Sequence, residues 1–97
     1  MPAYVIARVS VTDPDQYAKY RAVTPGAVAE FGGKFIVRGG EMETLEGTEE
    51  TRRVVVIEFE SMEKARAFYH SEIYQAAIKL RQPASEAELI LVEGYEG

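Results

Sequence analysis

Arg53-Val54-Val55-Val56-Ile57-Glu58-Phe59 is the stretch on which the fold turns. Four consecutive β-branched side chains, Val54 to Ile57, are stiff at χ1 and pack well on a pleated surface. A run this apolar, with its two charges toward the ends, reads as a central, buried strand. The rest of the chain must therefore supply neighbouring strands and a covering layer.

Upstream, Ala3 to Val11 alternates: Val5, Ala7, Val9 and Val11 point one way, and Tyr4, Ile6, Arg8 and Ser10 the other, the period of a strand. Thr12-Asp13-Pro14 reads as a helix start, with a capping side chain followed by a proline tolerated in the first turn. Tyr17, Tyr20, Val28 and Phe31 supply the apolar face of this helix, and Pro25 is expected to break or kink it near Thr24. Gly32-Gly33 ends it, and Lys34 to Arg38 resumes the two-residue alternation as a second strand. Gly39-Gly40 reads as a bulge or bend leading to a short edge strand over Met42 to Leu45, then a polar turn at Gly47 to Thr51.

Downstream, Ser61 caps a helix carrying Ala65, Phe68 and Tyr69. A break near His70 lets Ser71 cap a second helical piece with Ile73, Tyr74, Ala77 and Leu80. Leu89 to Val92 closes the chain as a strand. The order βαββαβ predicts an α+β ferredoxin-like sandwich: a four-stranded, antiparallel-rich sheet with two helices on one face. In this reading the first and third strands are central and parallel, which puts Arg8 and Glu58 at similar positions near their C-terminal ends.

Ninety-seven residues, 46% hydrophobic and 28% charged, suit a single globular domain over 1–97. No apolar run approaches the ~20 residues of a membrane span, and the start lacks a secretory pattern, so a cytoplasmic protein without membrane contact is expected. The chain has no cysteine, which excludes disulfides, thiolate nucleophiles and zinc ribbons. A net charge of −5 disfavours nucleic acid. RNA-recognition domains share the βαββαβ order, but Arg52 to Phe59 lacks the glycine and stacking aromatics of their third-strand octamer, so nucleic acid is not expected as a partner.

If the helices cover Val5, Ala7, Val9, Phe35, Val37, Val55, Ile57 and Phe59, the other sheet face presents Tyr4, Ile6, Ile36, Val54 and Val56. An apolar face of that extent marks an interface, and a homodimer through stacked sheet faces is the simplest symmetric cover. Arg8, Arg38 and Glu58 are expected on this same face. They read either as an ion-paired cluster fixing register or as a small polar site in which arginine holds a carboxylate or enolate oxygen.

Several segments resemble one known family: Tyr4-Val5-Ile6-Ala7, Thr12-Asp13-Pro14, Gly32-Gly33-Lys34-Phe35, Val37-Arg38-Gly39-Gly40, Leu45-Glu46-Gly47, Arg53 to Phe59, Tyr69-His70-Ser71 and Tyr74-Gln75. Together they look like the small bacterial domain-of-unknown-function family thirteen-thirty, with a match running from Ala3 to Gly94. The resemblance implies a ferredoxin-like subunit of the dimeric α/β-barrel superfamily and no particular activity. That superfamily includes cofactor-independent monooxygenases, haem-degrading enzymes, isomerases and ligand sensors. Phe68 stands where the family commonly has tryptophan, and Glu72-Ile73 replaces its usual proline-glutamate.

His70, the single histidine, is the candidate for proton transfer near neutrality. A packing or surface role is the ordinary alternative, and no cofactor or metal is expected, since His70 and Glu72 face different directions. Tyr17, Tyr20 and Tyr74 read as core residues with polar tips. If a cleft exists, they would line it as ligand-binding residues together with Arg38 and Glu58. The acidic stretch Glu41 to Glu50 reads as a solvated tip or as an arm over a partner subunit. The function expected is that of a homodimeric small-molecule-binding protein, or a cofactor-independent, monooxygenase- or isomerase-like enzyme acting on a small aromatic or carboxylate compound. The alternative is a non-catalytic structural or interaction module.

Overall fold

The structure is a computed structural model that describes residues 1–96. Four strands, β1 (Ala3–Val11), β2 (Lys34–Arg38), β3 (Arg53–Phe59) and β4 (Ser85–Glu93), form one sheet in the order β2-β3-β1-β4. Helix α1 (Pro14–Glu30) joins β1 to β2, and α2 (Met62–His70) and α3 (Glu72–Arg81) join β3 to β4. No helix among the described residues is long and apolar enough to cross a membrane.

The helix boundaries follow local chemistry. Asp13 Oδ1 accepts from the Gln16 amide at 3.1 Å, Ser61 Oγ from Lys64 at 3.1 Å and Ser71 Oγ from Tyr74 at 3.2 Å, so each helix begins on a side-chain cap. Ser71 has an extended backbone, which separates α2 from α3 at the break expected near His70, so the second crossover carries two helices. At the end of α1, Gly32 adopts φ +73°, and Gly33 lies so close to the Phe59 ring that a Cβ there would sit 2.5 Å from it.

Pro25 does not break α1. Its missing N–H leaves the carbonyl of Arg21, four residues earlier, without an intrahelical donor. Arg38 Nη2 donates to that oxygen at 3.2 Å. The helix continues because Thr24, Ala27 and Val28, on both sides of the proline, are buried against the sheet.

Three further expectations are corrected. The central strands β1 and β3 are antiparallel, with Tyr4 opposite Glu58 and Arg8 opposite Val54, so Arg8 and Glu58 lie at opposite ends of the pair. The α1 crossover makes β2 parallel to β1, and the following reversal inserts β3 between them, antiparallel to both. Met42 to Leu45 forms no strand, and Leu45 is 84% exposed. The bulge lies inside β2, between Phe35 and Val37, and not at Gly39-Gly40. One extra residue there reverses the alternation beyond it. Val37 pairs with Val56 on the open face, and Arg38 pairs with Val55, whose side chain faces the helices. Arg38 is therefore on the helix side of the sheet.

β4 begins at Ser85, four residues before its apolar run. Val11 to Arg8 of β1 pair with Ser85 to Glu88, so backbone bonding extends the strand through residues whose own composition is polar. The core lies between sheet and helices: Ala3, Val5, Ala7, Val9, Val55, Ile57 and Phe59 meet Tyr17, Ala27, Val28, Ala65, Phe68, Tyr74, Ala77 and Ile78. In α3 the buried stripe is Tyr74, Ala77, Ile78 and Arg81, leaving Ile73 41% exposed.

Candidate functional site

A cleft opens between the sheet and helices α1 and α3. Tyr17 and Tyr20 reach it from successive turns of α1, Tyr74 from the first turn of α3, and Arg38 from the end of β2. The bulge in β2 is what carries Arg38 to this side. Its guanidinium lies 4.3 Å above the Phe35 ring while it donates to the Arg21 carbonyl. The hydroxyls of Tyr20 and Tyr74 are 2.7 Å apart, and the Tyr17 and Tyr20 rings are 5.4 Å apart. The cleft holds about 30 Å³ of free space, room for a water or a group of a few atoms.

The electrostatics of the cleft have one sign. Arg21, Arg38, Arg53 and Arg81 line it, and no aspartate or glutamate does. Arg81 is only 7% exposed, and its guanidinium carbon sits 5.6 Å from the centre of the Tyr20 ring. Its Nε and Nη1 have no hydrogen-bond partner among the described residues, and neither has Nε of Arg53. The sequence reading missed Arg81. The signal was there: Tyr74, Ala77, Ile78 and Arg81 follow one face of α3, so an arginine seven residues after a buried tyrosine shares its burial.

Burial raises the Tyr20 phenol well above its ordinary value of 10.0, with the neighbouring Tyr74 adding to it; burial also raises Tyr74, opposed by its hydrogen bond with Tyr20. Both hydroxyls stay protonated past pH 10. Because the folded-state value lies above the unfolded one, their stabilising share is complete below about pH 10 and is lost as the pH rises further. In an alkaline absorbance titration of the six tyrosines, two phenols are expected to ionise only with unfolding, and Tyr74→Phe should remove one of them. A single reversible step for all six near pH 10 would contradict this arrangement.

The other candidate residues lie elsewhere. His70 is exposed at the end of α2, its ring edge-on to Tyr69 at 5.2 Å, in a separate groove of about 350 Å³ with Ala65, Arg66 and the β4 residues Leu89 to Leu91. Glu58 is on the open sheet face, where it accepts from the Tyr4 hydroxyl at 3.2 Å and pairs with Lys34 at 3.4 Å. Arg8 pairs with Glu50 at 3.5 Å at the opposite corner, where Arg52 joins Glu50 to Glu88. Hydrogen bonds from Arg52, helped by the charge of Arg8, hold the Glu50 carboxyl down at about 2. Arg8, Arg38 and Glu58 thus form no common cluster. No group of three or more metal-ligating side chains occurs among the described residues.

The family of the chain is shown by a match over residues 2–95 to the model described as a domain of unknown function (DUF1330); the protein belongs to that family. No curated protein is detectably similar in sequence. Among solved structures, a protein of unknown function from Rhodopseudomonas palustris superposes with a TM-score of 0.78 at 21% identity, covering 99% of this chain and 84% of that one. A dimeric ferredoxin-like protein of unknown function from Jannaschia sp. CCS1 gives 0.74 at 15% identity, covering 97% and 100%. SnoaB, a cofactor-independent oxygenase from Streptomyces nogalater, gives 0.67 at 13% identity, covering 99% and 95%. These likenesses establish the ferredoxin-like fold.

Proposed function

We propose that the protein is a homodimer that binds a small aromatic or carboxylate compound in the cleft between its helices and its sheet. The carrying observation is the convergence of Tyr17, Tyr20, Tyr74 and Arg38, from three separate elements, on one apolar-walled cleft without an acidic side chain. Small-molecule sites are built this way, with apolar walls and a few polar groups to orient the ligand. Arg38 offers an anion contact at the exposed rim, and the tyrosines shape the interior.

The dimer rests on the other face of the sheet. Tyr4, Ile6, Val54 and Val56 are half-buried there, while Ile90, Val92 and Val37 are 50%, 43% and 40% exposed. The ion pairs at Glu58 and Glu50 close two corners around this apolar centre, the anatomy of an interface with a polar rim. The molecule is a slab of 35 × 33 × 17 Å, and its broad face exceeds the ~800 Å² per partner of a stable pair. The Jannaschia relative, dimeric by description, supports a second copy as the occupant.

Chemical-shift mapping with phenol and with benzoate tests the cleft. Perturbations are expected at Tyr17, Tyr20, Thr24 and Tyr74, reduced in Arg38→Ala and unchanged in His70→Ala. Shifts confined to the His70 groove, or none, would sink the reading; in the former case proton transfer by His70 becomes the function to pursue. The fold shared with a cofactor-independent oxygenase makes a monooxygenase-like activity the extension to try first, and oxygen uptake with the mapped ligand tests it.

A further inference from the structure

An arginine side chain carries its charge at every pH a cell reaches, so burying one without a partner is strongly unfavourable unless something in the folded state answers it. Arg81 is more than nine-tenths buried, is the last residue of α3, lies against the Tyr20 ring, and has two nitrogens without partners among the described residues. Arg53 adds a third such nitrogen in the same cleft. The Tyr20 and Tyr74 hydroxyls share one hydrogen bond, which uses one of their two protons and leaves the other free to be donated. The charge lining the cleft is therefore entirely positive, and part of it is unanswered.

We infer that Arg81 anchors the ligand of this cleft, and that the ligand is a planar aromatic acid whose carboxylate accepts from Arg81 and from the spare tyrosine hydroxyl. The inference rests on the cleft being the binding site, as proposed above, and narrows the compounds it takes. The cleft's free space of about 30 Å³ fits a carboxylate head and not a ring. The ring then lies toward the exposed rim, on the side of Arg38. An uncharged amide of the same shape binds more weakly, because it brings no negative charge to answer the guanidinium.

Calorimetric titration of the full chain with benzoate and with benzamide tests this. Benzoate is expected to bind roughly tenfold or more tightly than benzamide, and Arg81→Met should remove that preference, since a charged hydrogen-bonded pair is lost. Arg81→Lys should restore part of it. Without benzoate, Arg81→Met is expected to melt no lower than the parent protein, because the methionine relieves an unanswered buried charge; a purely structural arginine predicts a clear drop. Equal binding of the two probes overturns the anchor and leaves the cleft a binding site. Unchanged benzoate affinity in Arg81→Met does the same. Binding of neither probe overturns the cleft reading and the anchor with it. Should Arg81→Met fail to fold, Arg38→Ala keeps the test open: the preference for benzoate is expected to survive in that variant, and its loss there overturns Arg81 as the anchor.

Discussion

Phe68→Ala is expected to lower the unfolding free energy by about 3–5 kcal/mol, the usual range for emptying a large aromatic site in a core. Phe68 is fully buried, and its ring stands at the centre of an aromatic cluster: 4.4 Å from Tyr74, 5.0 Å from Phe59 and 6.4 Å from Phe31, centroid to centroid. Those partners come from α3, β3 and the end of α1, so one side chain ties three elements together. The neighbours cannot collapse into the space without moving whole helices, which places the loss toward the upper part of the range. Small domains have only about 5–15 kcal/mol to lose, so the variant should unfold at much lower denaturant concentration. Phe68 also borders the cleft, and its removal lets Tyr74 leave the position in which its hydroxyl meets Tyr20. Urea unfolding measures the first effect. Ligand titration of whatever folded fraction remains measures the second. A loss under about 1 kcal/mol, within the range of an ordinary surface change, would show that the cluster is not the keystone of this core.

The elements that the sequence displays best are those set by local chemistry. β1, β2 and β3 have their expected bounds because alternation and β-branching act residue by residue, and the serine caps at 61 and 71 act within one turn. What escaped are features decided by non-local pairing. Nothing in Lys34-Phe35-Ile36-Val37-Arg38 marks a bulge: three apolar side chains in a row fit either register, and only pairing with β3 shows that Ile36 is the extra residue. That slip carried Arg38 from the face where alternation put it to the face where the cleft lies. The same holds for Pro25, whose helix-breaking effect is offset by an arginine 13 positions further along the chain. The tyrosines were legible as a group because helical spacing predicts their common side. Glu58 and His70 were not separable from them, since distance across a sheet is a tertiary property.

Ile6→Glu is expected to convert the proposed dimer into monomers while leaving the subunit folded. Ile6 sits mid-sheet on the open face, opposite Val56 on one side and Ile90 on the other, with the charged corners two rows away in each direction. It is half-buried in the single subunit, so a glutamate there keeps its head in water, and the fold loses little. In a face-to-face pair the same carboxylate is enclosed by apolar side chains of both copies. Twofold symmetry buries it twice, and an uncompensated buried charge costs about 3–5 kcal/mol each time. Association should therefore weaken by roughly 10⁴-fold or more, since each 1.4 kcal/mol is a factor of ten. Sedimentation across a concentration series, with circular dichroism confirming the fold, separates the two effects. A second variant, Arg66→Glu, changes charge on an exposed residue of α2 on the helix side of the sheet and should leave association untouched. If Ile6→Glu sediments as the parent does at every concentration, the sheet face is not the contact, and the apolar strip from Tyr4 to Val92 needs a different occupant.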